Sequence, residues 1–200
     1  MRLFSYKVAR DYGFAPNPFH GICTLATCKP KIRKAAQLGD LVVGCGCKEN
    51  KLQERIIYIM RVSGFCTFDE YWNSERFAIK RPYFLSNQSR AYGDNIYSSR
   101  KDGSWLQHKS HHSFEDGSVN ASNVATDTSE NRVLWGEDFI YWGEDAVQIP
   151  RRFRSLGGQD LYPNGRASPS KFSERFVSEF DDWYRNLPER GRLGRPGAWR

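Results

Sequence analysis

The chain is 200 residues long, 39% hydrophobic and 14% aromatic, with 30 Lys and Arg against 23 Asp and Glu and a formal net charge of +7. That length supports one compact domain with a real core, and a basic balance favours phosphate-bearing partners. No apolar run approaches the ~20 residues of a membrane span, the first residues lack a signal-peptide apolar region, and an odd count of five cysteines cannot form a complete disulfide framework. The expectation is a soluble, cytoplasmic protein with reduced thiols.

Residues 2–9 alternate loosely and predict a first strand. The stretch from Asp11 to Gly21 carries Pro16, Pro18, two glycines and three aromatics, and reads as an ordered loop. Within it, Asn17 and Phe19 either form a packed corner or present an amide and an aromatic face to a ligand. A short strand over 22–27 leads to Cys28-Lys29-Pro30, and Pro30 suits the first turn of a helix reaching Leu38. Lys29, Lys31, Arg33 and Lys34 crowd that helix start, where positive charge is unfavourable unless a bound anion offsets it. Lys31 and Lys34 read as a solvated face, Lys29 and Arg33 as phosphate ligands. Gly39-Asp40 turns the chain into a strand over 41–43, and 56–62 predicts the next. Cys23, Cys28, Cys45 and Cys47 are not spaced like a zinc ribbon or finger, so neither a metal site nor a cofactor is expected.

Thr67 and Glu70 have the spacing of a capping box before a short helix at Phe68. Arg76, Lys80 and Arg81 then interleave with aromatics, a pattern that can stack bases while tracking phosphates, although Trp72 and Phe77 read as packing. The most chemically loaded region follows: Tyr92-Gly93-Asp94-Asn95-Ile96-Tyr97, then Trp105 to Ser113, which holds His108, His111 and His112. Histidine titrates nearest neutrality. One of these histidines, held in one tautomer by Asp94, reads as a general base; the alternative is a polar loop whose histidines only hydrogen-bond. Residues 115–131 read as a long surface loop, and 133–135 and 138–142 as two strands closing a barrel. Arg151 to Arg154 is either a phosphate contact or a solvated edge. Ser168-Pro169 predicts the start of an amphipathic helix over 171–186, with Phe172, Phe176, Phe180, Trp183 and Tyr184 as its core stripe. The tail from Pro188 is basic and Gly-rich and should fray.

Asn17-Pro18-Phe19, Cys28-Lys29-Pro30-x-Ile32-Arg33, Gly39-Asp40, Glu70-Tyr71-Trp72, Lys80-Arg81-Pro82, Gly93-Asp94-Asn95-Ile96-Tyr97, Ser110-His111-His112 and Phe139-Ile140-Tyr141-Trp142-Gly143 stand in the order of a known pattern. Together they resemble the nucleotide modification associated domain 2 family over residues 1–155, with the C-terminal helix and tail as additions. Separately, the order helix, Gly-Asp turn, strand, loop, strand resembles the small PUA-like β-barrels of the EVE, ASCH and YTH group. The resemblances imply an α+β fold: a PUA-like barrel with flanking helices, and residues 156–200 packed on it or extending from it. They imply a nucleotide or nucleic-acid partner, DNA before RNA, and a part in DNA base hypermodification in phages and bacteria, alongside other base-modification proteins. Enzyme and non-catalytic reader of a modified base both stay open, as does a purely structural subunit. In the first two, Lys29 and Arg33 hold phosphate and Phe19 or Trp105 stacks on a base. Asp94, His111 and His112 carry recognition or proton transfer, with Asn17, Asn95, Tyr97 and His108 among the ligand contacts. No Walker-type loop or dinucleotide fingerprint occurs in the chain.

Overall fold

A computed structural model describes residues 1–164, 167–168 and 171–199. β1 (Leu3–Lys7), β2 (Cys23–Leu25) and α1 (Pro30–Ala35) open the chain, followed by β3 (Leu41–Cys45), β4 (Arg55–Arg61) and β5 (Gly64–Cys66). The middle carries α2 (Phe68–Asn73), α3 (Glu75–Ala78), α4 (Gln88–Ala91), β6 (Tyr97–Ser99), β7 (Trp105–Gln107) and α5 (Ala121–Thr128). The last part adds β8 (Val133–Gly136), β9 (Phe139–Tyr141), β10 (Val147–Gln148), β11 (Ala167–Ser168), α6 (Glu174–Arg185) and β12 (Gly191–Arg192). These elements form two compact units: Met1–Asp11, Ala36–Ser63 and Gly136–Arg200 in one, Tyr12–Ala35 and Gly64–Trp135 in the other. No helix among the described residues is long and apolar enough to cross a membrane.

The first unit is built on a mixed sheet ordered β11-β1-β3-β4-β9-β12, with β10 also pairing β4. β1 runs parallel to β3, matching Leu3 to Leu41, and β3 runs antiparallel to β4. The apolar runs of β3 and β4 are buried along nearly their whole length, as strands covered on both faces must be. On this sheet packs α6, which buries Phe176, Val177, Phe180 and Tyr184 against Leu3, Val43, Ile59 and Ile140. Each such side chain is worth about 1.5–3 kcal/mol when removed from water. The aromatic stripe is therefore core. Its start differs from the Ser168-Pro169 expectation: Ser173 is the cap, accepting from the Phe176 amide. Ser168 instead pairs with Ser5 across β11 and β1, and Pro169 lies outside the described residues.

Ahead of this sheet, α1 starts at Pro30 as expected but ends at Ala35, short of Leu38. Gly39 takes φ 81°, the left-handed conformation that glycine adopts without penalty. Asp40 Oδ2 then accepts from the Gln37 amide at 2.8 Å, fixing the turn into β3.

The second unit contains a three-stranded sheet, β2-β8-β5, and the β6-β7 hairpin. Phe14, Phe68, Tyr71, Phe77, Ile96, Tyr97 and Val133 fill its core. α2 begins with both arms of the Thr67–Glu70 capping box in place. Gly93 is needed because a Cβ there would lie 2.2 Å from the Lys80 carbonyl oxygen.

The closed barrel expected from segment order is not found among the described residues. The two strands expected to close it join different sheets: β8 pairs with β5, whereas β9 pairs with β4. The architecture is α+β with mixed sheets.

Candidate active site

Between β2 and α1 the chain turns sharply, and Cys28 and Lys29 adopt left-handed backbone at φ 57° and 43°. Such conformations cost energy in residues other than glycine, and they persist where surrounding bonds impose them. Here the bonds are evident. The Cys28 amide donates to Asp127 Oδ1 at 2.8 Å, and Arg33 Nε donates to the Cys28 carbonyl at 2.9 Å. The clamped turn holds the Cys28 Sγ 3.9 Å from His112 Nε2. The other ring nitrogen, His112 Nδ1, lies 2.7 Å from Asp127 Oδ2. A carboxylate can only accept, so Nδ1 carries its hydrogen and Nε2 is turned toward the thiol. Thiol, imidazole and carboxylate thus stand in series, the order in which a nucleophile, its base and the group orienting that base are arranged.

The residues around this series hold it still. Asp127 is buried on α5 and also accepts from the Tyr97 hydroxyl at 2.9 Å, itself fixed by Gln107 Nε2 at 3.1 Å. Gln107 Nε2 and Asn123 Nδ2 both donate to the His112 carbonyl, so the backbone under the imidazole is pinned from two elements. Arg33 lies fully buried, donating to the carbonyls of Asp127, Glu130 and Arg132 as well as Cys28. Burial lowers its guanidinium to about 10, against an upward pull from Asp127. With its donors committed to carbonyls and no exposed surface, Arg33 is placed to position the Cys28 turn rather than to hold phosphate.

Burial by itself would lower the His112 imidazolium, but the hydrogen bonds and charges of Asp127 and Cys28 outweigh it and raise the group to about 9. The imidazole is therefore protonated at neutral pH. Its folded value lies above the ordinary 6.5, so His112 contributes stability that is fully present below pH 6.5 and lost as pH rises through about 9. A shift of that size corresponds to at most about 3 kcal/mol. Urea titrations should show the unfolding free energy falling across this window, and His112→Gln should remove that part of the fall. An unchanged slope in the variant would show that the Asp127 contact does not raise the imidazole.

Of the other residues singled out in the sequence, Tyr97 joins this centre through Asp127. His111 packs its ring against Tyr12 at 4.3 Å and Tyr92 at 5.3 Å, while Phe14 touches both His111 and His112. His108 stacks flat on Trp72 at 3.7 Å and bonds to Ser98. Trp105 packs edge-on against Phe68, and Phe19 is buried. Asp94 belongs to a separate, fully buried network, accepting from Thr24 at 2.6 Å and Tyr71 at 2.7 Å. In the same network Lys80 Nζ donates to Asn17 Oδ1 and Ile22 O, and Asn95 Nδ2 to Tyr71 O. The carboxylate that meets a histidine is Asp127. Sequence reasoning missed it because α5, with Val124 as its main apolar residue, shows no helical stripe. The available signal was Asn120, whose side chain caps the helix by accepting from the Asn123 amide.

Cys28 Sγ, a His112 nitrogen and an Asp127 oxygen lie within 4.8 Å of one another, a donor set that a divalent metal could use. In this structure His112 Nδ1 bonds to one carboxylate oxygen and the Cys28 amide to the other. A metal there would have to displace those hydrogen bonds, and would then find the three protein ligands that catalytic zinc sites use. No disulfide joins the five cysteines. Burial raises the Cys45 and Cys66 thiols to about 12.

Fold and site together define an α+β protein with a cysteine–histidine–aspartate centre. The nucleotide modification associated domain 2 family matches residues 1–200, and the protein belongs to that family. The match takes in residues 156–200, including α6. No curated protein and no solved structure matches the chain.

Proposed function

We propose that this protein is a nucleotide-modification enzyme in which Cys28 is the nucleophile, His112 moves its proton and Asp127 orients His112. The observation that carries this reading is the unbroken series from the Cys28 Sγ through both ring nitrogens of His112 to Asp127. The proton shared between Sγ and Nε2 rests on the imidazole, in line with the raised His112, and the sulfur electron pair forms a bond to an electrophilic carbon of the base or of a group borne on it. The His112 imidazolium then supplies a proton to the adduct or the leaving group. The Sγ–Nε2 separation is longer than a working hydrogen bond and would shorten when substrate closes the site. A reader needs no aligned nucleophile, so the enzyme is the better reading. DNA is the preferred substrate, in keeping with the net charge of +7, and reduced thiols suit the cytoplasm.

Intact-protein mass spectrometry after incubation with deoxynucleotides or DNA should show an adduct on Cys28 or a new product mass, both absent in Cys28→Ala. Nucleotide binding without either would return the protein to the reader class. Turnover that chelation abolishes and zinc restores would favour the metal arrangement instead.

A further inference from the structure

We infer that the cavity between α4 and the loop from Lys109 to Glu115 is a nucleotide-binding site that holds a base against Phe84 and Phe114 and its phosphate at Lys109. The inference rests on the enzyme reading only in making this ligand the substrate of Cys28. The cavity measures about 540 Å³, within the size range of small-molecule pockets. Phe84 and Phe114 line it while remaining about half exposed, at 49% and 54%. Large aromatic rings left partly in water on one cavity offer stacking surface, and a nucleobase offers the flat π-face that fits them. Beside them Lys109 Nζ lies 5.6 Å from the Phe84 ring centre. A cation next to a stacking face suits a ligand in which an anion is joined to an aromatic plane, which is the description of a nucleotide.

The polar lining has a matching use. Gln88 offers an amide donor and acceptor, and Glu115 an acceptor for an exocyclic amine, the groups that read base edges. The loop is also preformed. The Phe114 amide donates to Ser118 O at 3.0 Å, Gly117 takes φ 88°, and Asp116 Oδ1 accepts from the Ser118 amide. These bonds present the Phe114 ring from a tight turn and reduce the ordering cost of binding.

Two lining residues link the cavity to the chemistry. Tyr92 and His111 are among its lining residues, and the His111 ring centre is 6.0 Å from that of His112, with Phe14 against both. A base seated here rests on the same loop that carries the catalytic imidazole.

Titration calorimetry on the full chain tests this, using the four deoxynucleoside 5′-monophosphates and a short mixed-sequence single-stranded oligonucleotide as probes. Phe84→Ala and Phe114→Ala remove exposed rings, so both variants should fold normally and bind about five- to a hundredfold more weakly. Lys109→Gln should weaken binding and flatten its salt dependence. Cys28→Ala should bind like the wild type. Tighter binding of the oligonucleotide than of any monophosphate identifies the strand as the source of the nucleotide. Binding that is lost in the ring variants while Cys28 forms no adduct supports the site and sinks only the enzyme reading. Adduct formation on Cys28 with an unchanged KM in both ring variants overturns the site and spares the enzyme. Absence of binding by the wild type at millimolar probe also overturns it.

Discussion

His112→Ala is expected to lower turnover on the nucleotide substrate by about 10²–10⁴-fold, the usual contribution of a positioned general acid or base. Alkylation of Cys28 by iodoacetamide at pH 7 should slow in the same variant, which reads the thiol directly without needing a known substrate. His111→Ala should behave differently. Its ring is a wall of the aromatic cavity, whereas its neighbour bonds to Asp127, so its loss should raise KM more than it lowers kcat. Asp127→Asn keeps the shape of the carboxylate but can offer a donor to Nδ1 and so favour the wrong tautomer. By analogy with the serine protease triad, where the same change costs about 10⁴-fold, it should be nearly as damaging as His112→Ala. If His112→Ala and Asp127→Asn kept full kcat, the cysteine–histidine–aspartate series would have no catalytic part.

Arg33→Met should be the most destabilising single change in the second unit. The side chain is fully buried and donates to four backbone carbonyls, those of Cys28, Asp127, Glu130 and Arg132. Methionine fills part of the volume and leaves those oxygens without their donor, at about 1–3 kcal/mol for each group that stays buried and unsatisfied. A loss of at least about 3 kcal/mol is expected, equivalent to roughly 6–12 °C in Tm for a chain of this size. Arg33→Lys keeps the charge but offers a single nitrogen in place of a planar fork, so it should recover only part of the loss. Cys28 alkylation should slow in both variants, because the Cys28 turn loses one of its clamps. A Tm within a degree or two of wild type in Arg33→Met would show that water replaces the guanidinium at no cost.

Much of the scaffold was legible from local chemistry. The Thr67–Glu70 capping box, Pro30 at a helix start, the Gly39-Asp40 turn and the aromatic stripe of α6 are all decided by a few neighbouring residues. Closure of a barrel is not such a property. Nothing local in 133–142 tells the chain that β8 and β9 enter different sheets, since both segments are short and apolar. The site shows the same division. His112 and Tyr97 stand out by residue type, whereas Cys28-Lys29-Pro30 reads only as the lead into a helix, and nothing local marks Cys28 apart from the other thiols. Yet the pairing of His112 with Asp127 depends on α5, whose residues are polar enough to read as a loop. Asp94 carried the stronger sequence signal because it sits in a distinctive motif. That motif serves a buried polar network with Lys80, Tyr71 and Thr24.

The five cysteines differ sharply in their surroundings, and this makes Cys28 a handle for following the protein. Cys23, Cys45 and Cys47 are buried, and burial holds the Cys45 and Cys66 thiols near 12, so they stay protonated in mildly alkaline buffer. A thiol-directed fluorophore used sparingly at pH 7–8 should therefore mark one position in the native chain and several in urea. Because Asp127 and Arg33 must both be seated for the Cys28 turn to form, the ratio of single to multiple labelling counts assembled molecules, in a crude extract as readily as in a purified sample.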